Sequence, residues 1–489
     1  MKHITIIGSG FAGLSAAAYM AKEGHQVTVI EKNEQAGGRA RSFESAGFTF
    51  DMGPSWYWMP DIFESFFQDF GKQPNDFYQL IRLDPSYQVL WEDLQLPLPA
   101  NFTELKTVFE SLEKGAGNQL ELFLKEAAYK YEVGIHKFVE KPGISITEFF
   151  TLDVAKSVFK IDLLTSIHTH VRKYFSNPKL IQIAEFPILF LGALPKNTPA
   201  LYSLMNYADM KLGTWYPMGG MTALVKGMQQ LAMNLGVQFK FNESVLSFEY
   251  QNKSISKIIT DKNTYPTDAV IAACDYHHLE TAVLAPTYRN YTDDYWEKRK
   301  MAPSSILIYL GINKKLKNIL HHNLLFDAPF DQHAQELYTQ PQWPSDPLMY
   351  VNCTSASDPS VAPEGNENLM VLIPTAPGLI DTDEIKEAYF KKAMAKLEKH
   401  FGEDIESHIV YKRIYAAKNF IADYHAFKGN AYGLANTLDQ TAILKPSIKN
   451  KHLHNLIYAG QLTVPGPGVP PAIISGKLAA QLTLKNLNK

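Results

Sequence analysis

The glycines near the start of the chain are spaced to bind a phosphate group. Gly8, Gly10 and Gly13 form the pattern G-x-G-x-x-G, and Glu31 lies further along. In this pattern the first glycine permits a tight turn, the second lets the backbone approach a pyrophosphate, and the third lets a helix pack close to a strand. A carboxylate at Glu31 could accept both hydroxyls of an adenosine ribose and would repel a 2′-phosphate. These residues therefore predict a dinucleotide site that disfavours NADP.

One helix and two strands must hold these residues in place. Residues 4–7 form a short apolar, β-branched run, which predicts a buried parallel strand. A helix is predicted over 14–23 and ends at Gly24, and a second strand over 26–30 ends at Glu31. The start of that helix would offer unpaired N–H groups and a positive dipole end to the phosphates. The alternative is a glycine-rich turn that binds no nucleotide.

A second glycine motif indicates whether the dinucleotide site binds a flavin or a nicotinamide cofactor. Gly37 and Gly38 precede Arg39, which offers another backbone approach to the pyrophosphate and a cation to neutralise it. Here the sequence resembles the flavoprotein superfamily that includes amine oxidases and carotenoid desaturases, in which the ExxxxxGGR stretch and the DxGP stretch (51–54 here) line FAD. The resemblance implies an α/β fold, with a discontinuous Rossmann-like FAD-binding domain and an inserted mixed α+β substrate domain. The glycine pair alone could be only a turn.

The C-terminal segment predicts a second contact with the flavin. A strand over 455–461 passes through Gly460 into a proline- and glycine-rich loop, 464–471, and helical spacing covers 472–487. A helix whose N-terminus faces the flavin pyrimidine would stabilise the negative charge of reduced flavin. The alternative is a linker that leads to a tail helix.

The middle of the chain predicts the domain organisation. A helix over 224–235, a strand over 236–245 and a buried strand over 270–274 resemble further nucleotide-binding material. We expect the FAD-binding domain to comprise 1–75, 215–290 and 425–489. The segments 76–214 and 291–424 are richer in aromatic residues and are expected to form a substrate-binding, membrane-associating domain.

The whole chain resembles the bacterial phytoene desaturase family of carotenoid synthesis. The matching stretches are GSGFAGLSAA at 8–17, DMGPSWYWMP at 51–60, FPILFLGALPKNTPALYSL at 186–204, TWYPMGGMTALVKGM at 214–228 and GQLTVPGPGVPPAIISGK at 460–477. Gln461, Pro467 and Pro471 depart from the family's usual closing segment. The residues that the motifs and the resemblance assign to FAD binding are Gly8, Ser9, Gly10, Phe11, Ala12, Gly13, Glu31, Lys32, Gly37, Gly38, Arg39, Gly53, Pro54, Ser55, Val245, Gly460, Gln461, Val469, Pro470 and Ile473.

The resemblance implies FAD-dependent removal of hydrogen from a long polyene such as phytoene. An allylic carbon of the substrate gives up a hydride to the flavin, and the cation that remains makes the neighbouring C–H acidic. A weak base is enough to remove that proton, so no catalytic base is assigned. Tyr216 and Glu185 could face the substrate, although a structural role is the simpler reading for each. A second dinucleotide fingerprint, which an enzyme that needs NADPH usually carries, is missing. Its absence favours a mechanism in which the substrate reduces FAD and an external acceptor, such as a quinone or oxygen, reoxidises it.

Alternative functions remain open at this point. They are desaturation of a later carotenoid, for instance at the 3,4-bond of a hydroxylated one, carotenoid isomerisation, amine oxidation, and a flavin-binding scaffold without catalysis. The histidine pairs 168/170, 277/278 and 321/322 lack matching ligand spacing, so no metal site is predicted.

The amino-acid composition indicates which classes of binding partner to expect. Lysine plus arginine number 47 against 50 acidic residues, which gives no electrostatic reason to bind nucleic acid. Two cysteines cannot build a disulfide framework, and neither a signal peptide nor a spanning apolar window is evident, so a cytoplasmic protein is expected. Family substrates live in the bilayer, which implies attachment to the membrane surface. Segment 149–175 mixes apolar and basic residues that suit the headgroup zone, or it is simply core.

Overall fold

The structure is a computed structural model that describes residues 1–145, 148, 165–189 and 194–488. Its α-helices, within the described residues, are α1 Phe11–Lys22, α2 Pro60–Gln68, α3 Phe102–Leu112, α4 Ala116–Val133, α5 Ile167–Val171, α6 Pro178–Leu189, α7 Leu204–Tyr207, α8 Met221–Asn234, α9 Tyr276–His278, α10 Asp293–Glu297, α11 Phe330–Tyr338, α12 Asp383–Phe401, α13 Ala417–Tyr424 and α14 Val469–Leu487. The strands are β1 His3–Ile7, β2 Gln26–Ile30, β3 Ser42–Ser45, β4 Phe48–Asp51, β5 Leu80–Arg82, β6 Tyr87–Leu90, β7 Gln95–Leu98, β8 Trp215–Pro217, β9 Gln238–Lys240, β10 Val245–Gln251, β11 Ser254–Thr260, β12 Thr264–Pro266, β13 Ala269–Ala272, β14 Ser304–Ile312, β15 His322–Leu325, β16 Met349–Asn352, β17 Glu367–Thr375, β18 Ile409–Tyr415 and β19 Leu456–Tyr458.

A five-stranded parallel sheet forms the centre of the molecule, in the order β19-β13-β1-β2-β9. Four of its strands, β19, β13, β1 and β2, are short and mostly apolar, as expected where helices and loops cover both faces of a parallel sheet. Ile6 pairs with Val29 on one side and with Ile271 on the other, and all three are fully buried. The predicted βαβ start and the α/β fold class are confirmed.

Two helices begin earlier than predicted. α1 begins at Phe11 instead of Leu14, because extended Gly10 serves as its N-cap and the next residues are already buried. α14 begins at Val469 instead of Ala472, and Pro470 and Pro471 occupy its first turn. Proline is tolerated there because the first N–H groups of a helix have no intrahelical acceptor.

The C-terminal helix is held directly against the first one. A Cβ atom added at Gly476 of α14 would lie 2.2 Å from the carbonyl oxygen of Ala12 and 2.7 Å from the Cβ of Ser15. The Ser15 hydroxyl also donates to the carbonyl of Ile473 at 2.7 Å. This crossing brings the C-terminal loop to the glycine turn at the other end of the chain.

A second, seven-stranded sheet lies outside the parallel one, in the order β18-β14-β17-β16-β15-β6-β7. Strands β6 and β7 come from segment 76–214 and the other five come from segment 291–424. The two segments thus share one sheet, which supports the predicted division into two discontinuous domains. That division remains our proposal.

Only residues 165–175 of the amphipathic segment 149–175 belong to the described part, and 149–164 lie outside it. Within this part Ile167, Val171 and Phe175 are buried in the main core. The apolar stripe is therefore core here. Among the described residues no helix combines the length and the apolar character needed to cross a membrane.

Candidate functional site

A large cleft opens at the carboxyl ends of the parallel strands. The turns that follow β1, β2, β13 and β19 all line it, as expected for ligand sites of open α/β sheets. The cleft holds about 2810 Å³ of space, counted out to its open mouth. One end is built from glycine-rich turns and the other from apolar and aromatic side chains.

The three glycines of the first turn have separate structural roles. Gly8 has a φ of +95°, and its N–H donates to the carbonyl of Ile30 at 2.8 Å. A Cβ atom at Gly13 would lie 2.0 Å from the carbonyl oxygen of Gly8, so α1 could not pack where it does. A Cβ atom at Gly10 would meet no atom of the described residues within 4 Å. Gly10 therefore borders free space in the cleft, where a ligand can approach the backbone.

The Glu31 carboxylate closes this end of the cleft. It is 5% exposed and accepts four hydrogen bonds. Ser9 donates its N–H and its hydroxyl to one oxygen, both at 2.8 Å. Asn33 donates its N–H at 3.0 Å and its side-chain amide at 2.9 Å to the other. A carboxylate has about four acceptor positions, so all of them are filled from within the chain.

Gly37, Gly38 and Arg39 lie beside the first turn. The Gly37 N–H donates to the carbonyl of Ser9 at 2.9 Å, which ties the two glycine motifs together. The Arg39 guanidinium lies 5.2 Å from the ring centre of Tyr424, and its Nη2 donates to the carbonyl of Asn430 at 3.2 Å. Its Nε atom has no hydrogen-bond partner among the described residues. This combination fits an anionic group in the cleft.

The DMGP stretch anchors the floor of the cleft. Asp51 accepts N–H bonds from Met221 at 2.7 Å and from Thr222 at 3.2 Å, at the start of α8. Burial raises the pKa of Asp51 to about 7, although the two N–H bonds act in the opposite direction. A Cβ atom at Gly53 would lie 2.8 Å from the carbonyl oxygen of Arg39. Only glycine lets these two stretches touch.

The C-terminal loop completes the polar end. Gly460 has a φ of +106°, and its N–H donates to the hydroxyl of Ser475 at 2.9 Å. That hydroxyl donates to the carbonyl of Val464 at 2.7 Å, so α14 and the loop before it are fixed together. The amide nitrogen of Gln461 is buried and has no partner among the described residues.

The structure gathers most of the predicted binding residues into this one cleft. The residues that line it are Gly8, Gly10, Phe11, Ala12, Glu31, Lys32, Gly37, Gly38, Arg39, Gly53, Pro54, Ser55, Val245, Gly460, Gln461, Val469 and Pro470. Ser9, Gly13 and Ile473 stand behind the lining. Ser9 orients Glu31, Gly13 allows close packing of α1, and Ile473 accepts the hydrogen bond from Ser15. Neither Tyr216 nor Glu185 lines the cleft: Tyr216 donates to Asp358 at 3.0 Å, and Arg172 donates to Glu185 at 2.5 Å.

Two stacked histidines line the cleft, and the sequence did not predict this pair. The rings of His278 and His425 lie 3.7 Å apart and nearly parallel, and the Lys32 ammonium is 3.4 Å from Nε2 of His425. Burial lowers the pKa of His278 to about 4, with His425 and Lys32 adding to the effect. The sequence singles out His278 only as one of a histidine pair without metal-ligand spacing. No sequence signal pairs it with a residue so distant in the chain.

Aromatic residues line the other end of the cleft. The Trp58 Nε1–H donates to the hydroxyl of Thr214 at 2.8 Å. The ring of Trp56 stacks on His322 with centres 4.0 Å apart. Further apolar or aromatic residues of the cleft lining are Met59, Ile135, Val139, Pro187, Tyr202, Leu204, Met205, Leu307, Tyr350, Leu372 and Phe420. Such a surface binds an apolar molecule by burying it from water.

Comparison with known proteins identifies the family. Residues 11–484 match the family described as flavin containing amine oxidoreductase. A protein of Haloarcula japonica named carotenoid 3,4-desaturase is 40% identical over 99% of this chain and 98% of its own length. The 4,4'-diapophytoene desaturase of Staphylococcus aureus is 31% identical over 99% of both chains.

Solved structures share the fold at low sequence identity. An oxidoreductase from Methanosarcina mazei superposes with a TM-score of 0.65 at 15% identity, covering 98% of this chain and 100% of its own. Cyclohexylamine oxidase from Brevibacterium oxydans superposes with a TM-score of 0.61 at 14% identity, covering 100% of both chains. The glycine turns, the open space at Gly10 and the Arg39 Nε, which has no partner within the described part of the chain, fit a dinucleotide with an anionic centre. The chain therefore belongs to the flavin-containing amine oxidoreductase family, as a relative of carotenoid desaturases, and is an oxidoreductase whose cofactor is FAD.

Proposed function

We propose that this protein is a carotenoid desaturase that removes hydrogen from a long polyene and passes it to FAD. One observation carries the proposal: a single cleft joins the glycine-rich turns at one end to an apolar, aromatic-lined pocket at the other. A polyene in that pocket would lie beside the cofactor, away from water. Identity of 40% to a carotenoid 3,4-desaturase along nearly the whole chain supports the choice of substrate.

The predicted residues divide the binding of FAD between them. Gly8, Gly10 and the start of α1 would hold the pyrophosphate, and Arg39 would neutralise part of its charge. Glu31 would accept the ribose hydroxyls. Its acceptor positions are filled, so the Ser9 hydroxyl and the Asn33 amide must rotate away while their N–H bonds stay. Bound FAD supplies a two-electron acceptor for hydride.

The chain's own residues would orient the substrate and exclude water from it. With its Nε1–H bonded to Thr214, Trp58 offers an apolar ring to the pocket. Ser55 and Tyr350 are hydrogen-bonded to each other at 2.8 Å, and Tyr350 is bonded to Nδ1 of His322 at 2.7 Å. Both hydroxyls are thus occupied in a pocket suited to a hydrocarbon chain.

The 3,4-bond of a carotenoid is the position favoured by the relative from Haloarcula japonica, because its identity to this chain is the higher of the two. Desaturation of a phytoene-type precursor is the second candidate, supported by the 31% identity to the diapophytoene desaturase. We also propose attachment to a membrane surface, from which so apolar a substrate would be taken, and reoxidation by a quinone or oxygen.

Anaerobic mixing with carotenoids in liposomes tests the function. Protein with oxidised FAD should bleach as the product gains a longer chromophore and loses two hydrogens in mass. A quinone should then restore the yellow colour, and added NADPH should have no effect on the reaction. The variant Gly10→Val, purified without flavin, serves as the control. A product of unchanged mass that forms only after reduction of the flavin would indicate an isomerase, and peroxide formed from amines would indicate an amine oxidase.

Comparing substrates separates the two desaturase candidates. Phytoene and a hydroxylated carotenoid saturated at its 3,4-bond should be offered in separate liposomes of the same composition. Faster bleaching with the second supports 3,4-desaturation. Turnover of phytoene alone would refute it and leave the phytoene-type reaction.

A further inference from the structure

Lys445 is a buried lysine without a counter-charge. The residue is 5% exposed, and its Nζ donates a hydrogen bond to Oδ1 of Asn436 at 2.8 Å. No carboxylate among the described residues forms an ion pair with it. Burial lowers its pKa to about 7. Burying a cation without a counter-charge lowers the stability of the folded protein. Buried groups of this kind are typical of functional sites, which points to a function for Lys445.

Asn436 links this lysine to the cleft. Its oxygen accepts the hydrogen bond from Lys445, which leaves the two N–H donors of its amide for other partners. Asn436 lines the cleft that we assign to FAD. One polar side chain, that of Asn436, therefore connects the charge of Lys445 to the cleft.

The loop before α14 packs directly over this pair. A Cβ atom at Gly466 would lie 3.0 Å from Nζ of Lys445 and 3.1 Å from Oδ1 of Asn436. The Thr463 hydroxyl donates to the carbonyl of Pro446 at 2.7 Å, which fixes the loop to the lysine segment. Pro465, Pro467 and Gly468 of the same loop line the cleft, just ahead of the positive end of α14.

The charged and titratable groups around Lys445 are few. Apart from Lys445 itself, segments 430–438, 441–448 and 460–476 contain no charged residue. Asp439, which lies between the first two segments, forms an ion pair with Lys300 at 2.8 Å. The titratable side chain that segment 430–438 contributes to the cleft is Tyr432, whose pKa is raised by burial, so that it stays neutral. The change of charge to which Lys445 can respond is therefore that of the ligand in the cleft that Asn436 lines.

We propose that Lys445 is a positioning residue which, through Asn436, takes up one proton whenever the flavin in the cleft accepts two electrons. The proposal rests on the proposed function, because it requires FAD in this cleft. When the substrate forms its C=C bond, it loses one hydrogen as hydride to the flavin and one as a proton. The Lys445 amine binds one proton and becomes an ammonium, so the added negative charge of the reduced flavin is balanced. Reoxidation by a quinone removes the two electrons with both protons, forms the quinol and returns Lys445 to the amine.

The physical reason is mutual stabilisation of opposite charges. A negative charge that appears nearby favours the protonated form of a lysine, and the protonated lysine in turn favours the reduced flavin. The flavin potential should therefore depend on pH more steeply than that of a flavin that binds one proton. For a two-electron couple, one proton corresponds to a tenfold change in the equilibrium constant, or about 30 mV, per pH unit, and two protons to about twice that.

Spectroelectrochemical titration of the FAD-loaded protein at about pH 7.5 to 9, just above the lysine's pKa, tests this coupling. The wild type should show a slope of about 60 mV per pH unit. Lys445→Met, which has a similar volume and no charge, should show about 30 mV and a lower potential throughout. Lys445→Arg keeps a fixed cation, so it should also show the shallow slope but a higher potential than the methionine variant.

A further variant tests the same coupling if Lys445→Met does not fold. Should the methionine variant fail to fold, Asn436→Asp leaves the lysine in place and holds it protonated in both redox states, so its slope should be shallow. Flavin content and melting temperature report whether each variant is folded. Equal slopes in the wild type and Lys445→Met, with FAD bound to both, would refute this inference alone. A wild-type protein that never binds FAD would refute the proposed function as well.

Discussion

Two glycines of the first turn should respond in opposite ways to the same added methyl group. At Gly10 the backbone is extended, with φ −68° and ψ 178°, which alanine adopts freely. The added Cβ meets no atom of the described residues within 4 Å, so Gly10→Ala should change the free energy of unfolding of the FAD-free protein by no more than about 1 kcal/mol. The same methyl group enters the space that we assign to the pyrophosphate. FAD should therefore bind at least about tenfold more weakly, a loss of about 1.4 kcal/mol or more.

Gly13→Ala is the matched comparison. Its Cβ would lie 2.0 Å from the carbonyl oxygen of Gly8 and 3.3 Å from the Cβ of Ala273, so backbone atoms must move. Overpacking of this kind costs about 1 to 3 kcal/mol or more, and we expect the FAD-free protein itself to be destabilised by that amount.

Two measurements separate these effects. Urea unfolding of the FAD-free proteins gives their stabilities, and quenching of flavin fluorescence on titration gives the dissociation constant of FAD. FAD should raise the melting temperature of the wild type strongly and that of Gly10→Ala weakly, since stabilisation by a ligand follows its affinity. A Gly10→Ala protein that binds FAD as tightly as the wild type would refute the assignment of this turn to the pyrophosphate.

Three further predictions follow from other parts of the molecule. Glu31→Gln puts an NH₂ group against an N–H donor of Ser9 or Asn33 and should weaken FAD binding about tenfold to a hundredfold in the same titration, whereas Glu34→Gln, whose side chain is 62% exposed, should not. Burial raises the pKa of Asp209 to about 7, so between about pH 4 and pH 7 the folded protein keeps a proton that the unfolded chain has lost, and stability should fall as the pH rises. Asp209→Asn should remove roughly 2 to 4 kcal/mol of that fall in unfolding experiments over this range, and an unchanged slope would contradict the assignment. In liposome flotation the protein should rise with the vesicles, and high salt should release only part of it, because apolar burial is not screened; protein that stays at the bottom of the gradient with and without lipid would exclude membrane attachment.

The sequence by itself determined those features that depend on neighbouring residues. The apolar run before Gly8, the helix between Gly10 and Gly24, and the strand that ends just before Glu31 are local patterns, and each is present in the structure. A turn with a positive φ needs glycine wherever it occurs in a fold, so the glycine motifs could be recognised without knowing what packs around them. Resemblance along the chain then added the flavin and the substrate class, which local patterns alone do not contain.

The tertiary structure decided which distant segments meet. Strands β6 and β7 join a sheet whose other strands begin more than two hundred residues later. The smallness of Gly476 matters because α1 lies against it, and the buried Lys445 lies against the loop around Gly466. The pairs His278 with His425 and Ser55 with Tyr350 arise in the same way. Contacts of this kind depend on close packing in three dimensions, where a fraction of an ångström decides whether two groups fit, and no periodicity along the chain records them.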